Sequence, residues 1–188
     1  TISYNYGIYG GGINAYDGSS IIMNSGNISN NIAGHNGGGI AIMVLDANVS
    51  KGVMAKATIN GGIIENNKVT TTWIGVGAGI STCKGSDLTI NDGLIQKNAA
   101  ARGGGIGAWT GGNIEILGGV ISENVSTEDT TPTDGSVGNH GAGVFFDTYF
   151  ISGYGSVDAQ LTVGGNAVIT GNINSVSNKE DNLFLAND

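Results

Sequence analysis

Apolar and polar positions alternate in short bursts along this chain, and glycine and asparagine separate the bursts. Pairs such as Ile21 and Met23, or Leu88 and Ile90, flank a single polar or outward position, as expected for strands buried on one face. No stretch of ten or more residues keeps the apolar period of 3.6 that an amphipathic helix needs. The pattern therefore predicts an all-β protein made of short strands.

Two short motifs return in alternation. The first is Gly-(Gly or Ala)-Gly followed by a branched apolar residue, at residues 10–13, 37–40, 77–80, 103–106 and 141–144. The second is a small residue followed by x-Ile-x-x-Asn, at residues 26–31, 62–67, 93–98, 119–124 and 167–172. Copies of the first motif start 27, 40, 26 and 38 residues apart. The chain is therefore a repeat array with a unit near 26 residues and inserts in two units.

A unit of this length accommodates three strands of three to five residues with their turns. Such a coil buries its apolar positions when it stacks on the next coil at the strand spacing of about 4.8 Å. We therefore predict a right-handed parallel β-helix, a pectate-lyase-like solenoid of about five to six coils, with residues 1–188 forming a single domain. Because the chain starts within the pattern and stops in an apolar segment, we expect it to be a fragment of a longer protein.

Stacking of the second motif predicts a ladder of asparagines at one turn. Its members are Asn31, Asn67, Asn98, Asn124 and Asn172. Asparagine tolerates left-handed backbone, and its amide can bond to backbone and to the asparagine one coil away. We therefore expect Asn98, in a central coil, to be buried and hydrogen-bonded to its stacked neighbours.

Composition and charge exclude several classes of function. The chain has 35 glycines but one proline, which argues against a disordered Pro/Gly chain. With a net charge of −8 and seven scattered basic residues, it has no basic stripe for nucleic acid. No apolar run approaches 18 residues, so we predict no membrane insertion by this segment. Cys83 is the single cysteine, which excludes a disulfide framework and a thiolate metal site.

A candidate binding surface follows from counting three residues past the apolar end of each first motif. The predicted exposed column is Tyr16, Met43, Cys83, Trp109 and Asp147. Inserts border this column, and the last one carries Tyr149 and Tyr154. Aromatic rings can stack on sugars, and a carboxylate can accept sugar hydroxyl bonds. We predict ligand binding by Tyr16, Trp109, Asp147, Tyr149 and Tyr154; the alternative is that these side chains pack beneath the loops.

Acidic residues suggest two further kinds of site. Sugar hydrolysis needs two carboxylates about 5–9.5 Å apart, and Asp147 with an insert carboxylate is the catalytic candidate. Glu128, Asp129 and Asp134 lie in one insert and could bind Ca²⁺ through carboxylate oxygens. The alternative is that this acidic insert is simply solvated. We predict no other cofactor.

The alternating motifs resemble the repeats of bacterial surface β-helix proteins. They are similar to the Gly-Gly-Ala-Ile and Phe-x-x-Asn repeats of polymorphic outer-membrane proteins, with Ile here in place of Phe. They are closer still to wall-anchored, adhesin-like proteins of Gram-positive gut bacteria, and residues 178–185 resemble the passage of such regions to a following strand. The resemblance implies an extracellular location, on the cell surface or secreted. It also implies an adhesive or structural role, with a glycan or host-surface ligand as partner.

Two alternatives to an adhesive role remain open. The same fold hosts pectate lyases and glycoside hydrolases, so the chain can be a carbohydrate-active enzyme or a fragment of one. It carries no local motif of those enzymes. A spacer without any ligand is the third hypothesis.

Overall fold

The computed structural model of the chain describes residues 1–71, 75–128, 141–147 and 159–185. Its elements are short strands and one helical turn. In chain order they are β1 (Ile2–Ser3), β2 (Tyr6–Tyr9), β3 (Ile13–Tyr16), β4 (Ser20–Met23), β5 (Asn27–Ser29), β6 (Ile32–Asn36), β7 (Ile40–Met43), α1 (Asp46–Val49), β8 (Ala55–Ile59), β9 (Ile63–Glu65), β10 (Lys68–Val69), β11 (Ile80–Cys83), β12 (Ser86–Ile90), β13 (Leu94–Gln96), β14 (Ala99–Ala100), β15 (Ile106–Trp109), β16 (Asn113–Ile116), β17 (Val120–Ser122), β18 (Val125–Ser126), β19 (Val144–Phe146), β20 (Gln160–Val163), β21 (Val168–Thr170), β22 (Ile173–Asn174), β23 (Lys179–Glu180) and β24 (Leu183–Leu185).

Successive strands belong to four different sheets, and as far as β22 every fourth strand returns to the same sheet. Sheet 1 is β1-β5-β9-β13-β17-β21, sheet 2 is β2-β6-β10-β14-β18-β22-β23, sheet 3 is β3-β7-β11-β15-β19-β24, and sheet 4 is β4-β8-β12-β16-β20. The strands pair in parallel, except that β23 runs antiparallel to β22. The described residues thus form five complete coils and part of a sixth. The predicted all-β parallel β-helix of five to six coils is confirmed.

The predicted number of strands per coil was wrong, because each complete coil has four strands and not three. The overlooked strands belong to sheet 2, where β10, β14 and β18 are only two residues long. The buried residue is small or polar in β14 and β18, at Ala100 and Ser126, and in β10 it is the single residue Val69. Such strands leave no alternation of large apolar residues in the sequence, so the pattern could not indicate them.

The interior is built of apolar residues stacked in register. In sheet 1, Ile28, Ile64, Ile95 and Ile121 pair in sequence, and each is at most 3% exposed. Matching columns run through sheets 3 and 4, and all three columns belong to one core cluster. Because each coil buries its apolar face mainly against its neighbours, the array is expected to unfold cooperatively.

The asparagine ladder runs along the turn between sheets 1 and 2. At Asn67, the backbone N–H and Nδ2 each donate to Oδ1 of Asn98, both at 3.0 Å. Nδ2 of Asn67 also donates to the carbonyl oxygen of Ile28 at 2.9 Å. Asn98 repeats the pattern toward Asn124 and Ile64, and it is fully buried. The predicted burial and bonding of Asn98 are confirmed.

The ladder is longer than its motif. The backbone N–H and Nδ2 of Asn5 donate to Oδ1 of Asn31 at 3.0 and 2.9 Å. At the other end, Oδ1 of Asn182 accepts from the N–H and Nδ2 of Asn172 at 3.1 and 3.0 Å. Nδ2 of Asn182 donates to Oε2 of Glu180 instead of to a further asparagine. Neither Asn5 nor Asn182 lies in a copy of the second motif, so the motif search missed both.

The ladder also explains the third glycine of the first motif. A Cβ added to Gly105 would lie 2.6 Å from the carbonyl oxygen of Gly143 and 3.0 Å from Nδ2 of Asn124. Real Cβ atoms essentially never come that close to a backbone oxygen. The space that the missing side chain leaves is filled by the stacked amides, so the two motifs serve a single packing arrangement.

We predict that Asn98→Ala lowers the free energy of unfolding by about 1–3 kcal/mol, because the N–H of Asn67 and the carbonyl oxygen of Ile64 each lose a buried hydrogen-bond partner. A thermal melt followed by circular dichroism measures the change. The control is Asn91→Ala, which removes an exposed amide that donates to Asn60 on the surface and should stay within about 0.5 kcal/mol. Equal melting temperatures for the two variants would contradict the ladder.

We also predict that Gly105→Ala destabilises the protein by about 1–3 kcal/mol, because the added methyl group overpacks a site against backbone atoms. Gly164→Ala is the matched control, since a Cβ there meets no atom within 4 Å. Urea unfolding of both variants compares them directly. A Gly105→Ala variant as stable as Gly164→Ala would show that the close approach is not a constraint.

Candidate functional site

The predicted column lies at the corner between sheets 3 and 4. Tyr16 pairs with Met43, and Cys83 pairs with Trp109. Asp147 follows Phe146, which pairs with Ala108, the residue before Trp109. The carbonyl oxygen of Asp147 accepts a hydrogen bond from the N–H of Gly111 at 3.1 Å. The five residues are therefore in register, as the count from the motif predicted.

Exposure along this column is interrupted. Tyr16, Met43, Trp109 and Asp147 are half-buried, but Cys83 is only 8% exposed. The N–H of Val44 donates to Sγ of Cys83 at 3.3 Å, because the segment after Met43 folds over the thiol. The expectation of one continuous exposed column is thus wrong at Cys83. Two patches remain, one at Tyr16 and Met43 and one at Trp109 and Asp147.

The insert after Met43 is held by the preceding coil. Oδ1 of Asp17 accepts the N–H of Leu45 at 2.9 Å, and Oδ2 accepts from Nδ2 of Asn48 at 2.8 Å. Helix α1 begins directly after Leu45. Asp17 therefore anchors the insert next to Tyr16, a role that the sequence pattern did not reveal.

Of the candidate Ca²⁺ ligands, Glu128 has a different partner. Its carboxylate forms an ion pair with Arg102, with Nη2 donating to Oε1 at 2.7 Å. The guanidinium also lies 5.7 Å from the ring centre of Phe145. Asp129 and Asp134 lie outside the described residues, as do Tyr149 and Tyr154. Within the described part of the chain, no three His, Cys, Asp or Glu side chains are grouped to hold a metal ion.

A concavity of about 250 Å³ lies on the outer face of sheet 4, and we call it the sheet-4 groove. The side chains that line it and point outward are Asp87, Thr89, Asn113, Glu115, Gln160 and Thr162. Leu88 and Ile114 also border it, but they are 1% and 0% exposed and point into the core. The outward lining is therefore polar throughout. Trp109 precedes the first residue of β16 by a three-residue turn, so the groove adjoins the Trp109–Asp147 patch in the fold.

Hydrogen bonds fix part of the groove. Asp87 pairs in register with Lys56 on one side and Asn113 on the other. Its Oδ2 lies 3.0 Å from Nζ of Lys56, and its Oδ1 accepts from Nδ2 of Asn113 at 3.1 Å. Glu115 pairs with Thr89 and is exposed. No sequence pattern distinguishes these residues, because polar outward positions look the same on any solvated strand.

Comparison with protein-family models, with curated proteins and with solved structures gives no match. Within the described ranges, no helix is long and apolar enough to cross a membrane.

We predict that Asp17→Ala releases the insert after Met43, because it removes two charge-assisted hydrogen bonds. Amide exchange at Leu45 should accelerate by about tenfold or more, while the coil below keeps its protection. Hydrogen exchange followed by NMR measures both regions in one experiment. The control is Asp92→Ala, whose carboxylate accepts from Gly93 in a turn of another corner. Unchanged exchange at Leu45 in the Asp17 variant would contradict the anchoring role.

Proposed function

We propose that this chain is an extracellular, cell-surface module of adhesin-like or structural type that binds glycan on one face. The binding surface consists of the sheet-4 groove and the adjoining patch of Trp109 and Asp147. The observation that carries the proposal is the polar outward lining of the groove. Amide, hydroxyl and carboxylate groups complement sugar hydroxyls, which both donate and accept hydrogen bonds.

Trp109 supplies the apolar part of the proposed surface. Its side chain is half-buried at the end of β15, so one part is held by packing and another part stays accessible. An indole offers a large flat surface that can stack on a sugar ring, and Asp147 beside it can accept hydroxyl bonds. Tyr16 lies beyond the covered Cys83, and its participation, like that of Tyr149 and Tyr154, stays a prediction.

The rigidity of the solenoid supports a binding role. The groove side chains of β12 and β16 stand on paired strands whose inward residues are fully buried. Asp87 is further held by Lys56 and Asn113. Binding to such a surface orders few side chains, which keeps the entropic cost of association low.

One observation favours the alternative of a carbohydrate-active enzyme. Asp87 and Glu115 stand on neighbouring coils and are offset by two residues in register. With a strand spacing of about 4.8 Å and a rise of about 6.6 Å over two residues, their backbone positions are about 8 Å apart. Backbone positions at this separation allow the two carboxyl groups to lie at the distance of about 5–9.5 Å that sugar hydrolysis needs. Asp147 is the other catalytic candidate, but Glu128 is already paired with Arg102.

A glycan-array screen tests the proposed function, followed by assays of reducing-sugar release on every bound glycan. Binding without release supports the binding module. Release that disappears in Asp87→Asn, Glu115→Gln or Asp147→Asn, with binding retained, supports the enzyme instead. Absence of binding to all glycans contradicts the proposal and favours the spacer.

We predict that Trp109→Ala weakens binding to an array-positive glycan by more than about 2 kcal/mol, since a central stacked aromatic typically dominates such a surface. Calorimetric titration measures the affinity, and circular dichroism checks that the fold is kept. Tyr6→Ala is the control, because Tyr6 is also an outward aromatic, 73% exposed, but lies in sheet 2. Affinity that survives Trp109→Ala would remove Trp109 from the site.

A further inference from the structure

We infer that the sheet-4 groove accepts a linear, uncharged glycan chain lying along the axis of the solenoid, across the strands. This inference rests on the proposed function and specifies its ligand class and direction. Three features of the groove lead to it: the arrangement of the side chains in rows, their fixed geometry and their charge.

The outward side chains of β8, β12, β16 and β20 form two rows along the axis, and the remaining strand of the sheet, β4, continues these rows with Ser20 and with the exposed, apolar Ile22. The first row is Lys56, Asp87, Asn113 and Gln160, and the second is Thr58, Thr89, Glu115 and Thr162. Neighbours within a row are about 4.8 Å apart, and the two rows are about 6.6 Å apart. The polar surface is thus two side chains wide and four coils long, about 14 Å from first to last strand. A repeating linear polymer fits this shape better than a compact or branched ligand.

Three side chains of the first row bond to one another before any ligand binds, namely Lys56, Asp87 and Asn113. Each carboxylate oxygen of Asp87 has one partner within the row, on Lys56 or on Asn113. A carboxylate has about four acceptor positions, so both oxygens can still accept a hydroxyl. The same holds for the amide oxygen of Asn113, whose Nδ2 is directed at Asp87. The row therefore offers hydroxyl-binding groups at the spacing of the coils.

Charge determines which polymers are compatible with the groove. Lys56 is the cation of these two rows, and its ammonium already faces Asp87. Glu115 adds a carboxylate that is exposed in the lining, and the chain as a whole carries −8. A polyanionic glycan would bring further carboxylates next to Glu115 and Asp87, which is unfavourable. An uncharged glycan meets no such repulsion.

Calorimetric titration tests the inference with defined linear oligosaccharides of two to six units. The probes are neutral oligomers of glucose, mannose and N-acetylglucosamine, together with oligogalacturonides of the same lengths and any array-positive glycan. We expect affinity for a neutral series to rise about tenfold or more between two and four units, and oligogalacturonides to bind at least about tenfold more weakly. Affinity that does not depend on length, or a preference for the acidic or a branched glycan, would overturn the inference while leaving glycan binding intact. No binding of any probe or array glycan would overturn the proposed function as well.

Variants locate the ligand on sheet 4. Asn113→Ala should lower the affinity for the neutral tetrasaccharide by about tenfold, which is the loss expected for one or two hydrogen bonds. The control is Gln96→Ala, which removes an outward amide bonded to Glu65 on sheet 1 and should leave affinity unchanged. Glu115→Gln should reduce the ratio of the affinities for the neutral and the acidic tetrasaccharide by at least about threefold. Equal effects of Asn113→Ala and Gln96→Ala would place the ligand elsewhere.

Discussion

Hydrogen bonds between stacked asparagines set the register of every coil. Each central rung donates its backbone N–H and Nδ2 to the next amide oxygen, and its Nδ2 also satisfies a carbonyl of the coil before. These groups are buried, so an unpaired one would cost about 1–3 kcal/mol. A slip of one residue would break several such bonds at once and would turn the isoleucine columns outward. One register therefore satisfies both the polar ladder and the apolar core.

The same register creates the outer surface. Ile90 of β12 stacks on Ile59 of β8 and Ile116 of β16. The outward residues of these three strands must then stack in the same register, which brings Asp87 beside Lys56 and Asn113. The rows of the sheet-4 groove are thus a consequence of interior packing. The types of side chain in these rows are not a consequence of interior packing, because an outward position tolerates most side chains. The presence of amides, hydroxyls and carboxylates there is what makes the face a candidate for recognition.

Sequence alone could predict those parts of the fold that repeat large apolar residues or asparagine. Sheet 2 escaped prediction because most of its inward residues, such as Ala33 and Ala100, are small. The burial of Cys83 depends on how the insert after Met43 folds back, a tertiary contact with no local pattern. The groove was missed for a related reason, since its members are ordinary polar residues whose significance comes from neighbouring coils.

Inserts leave the solenoid at corners that do not carry the ladder. The turn between sheets 1 and 2 has two residues in every coil, a left-handed residue followed by the ladder asparagine, as at Lys97 and Asn98. An extra residue there would displace an amide from its stack. The corners before and after sheet 3 accommodate the long connections, including that from Met43 to Ala55. Because the corner after sheet 3 also borders the groove, the chain can vary the surroundings of its candidate binding face without disturbing the ladder that holds the coils together.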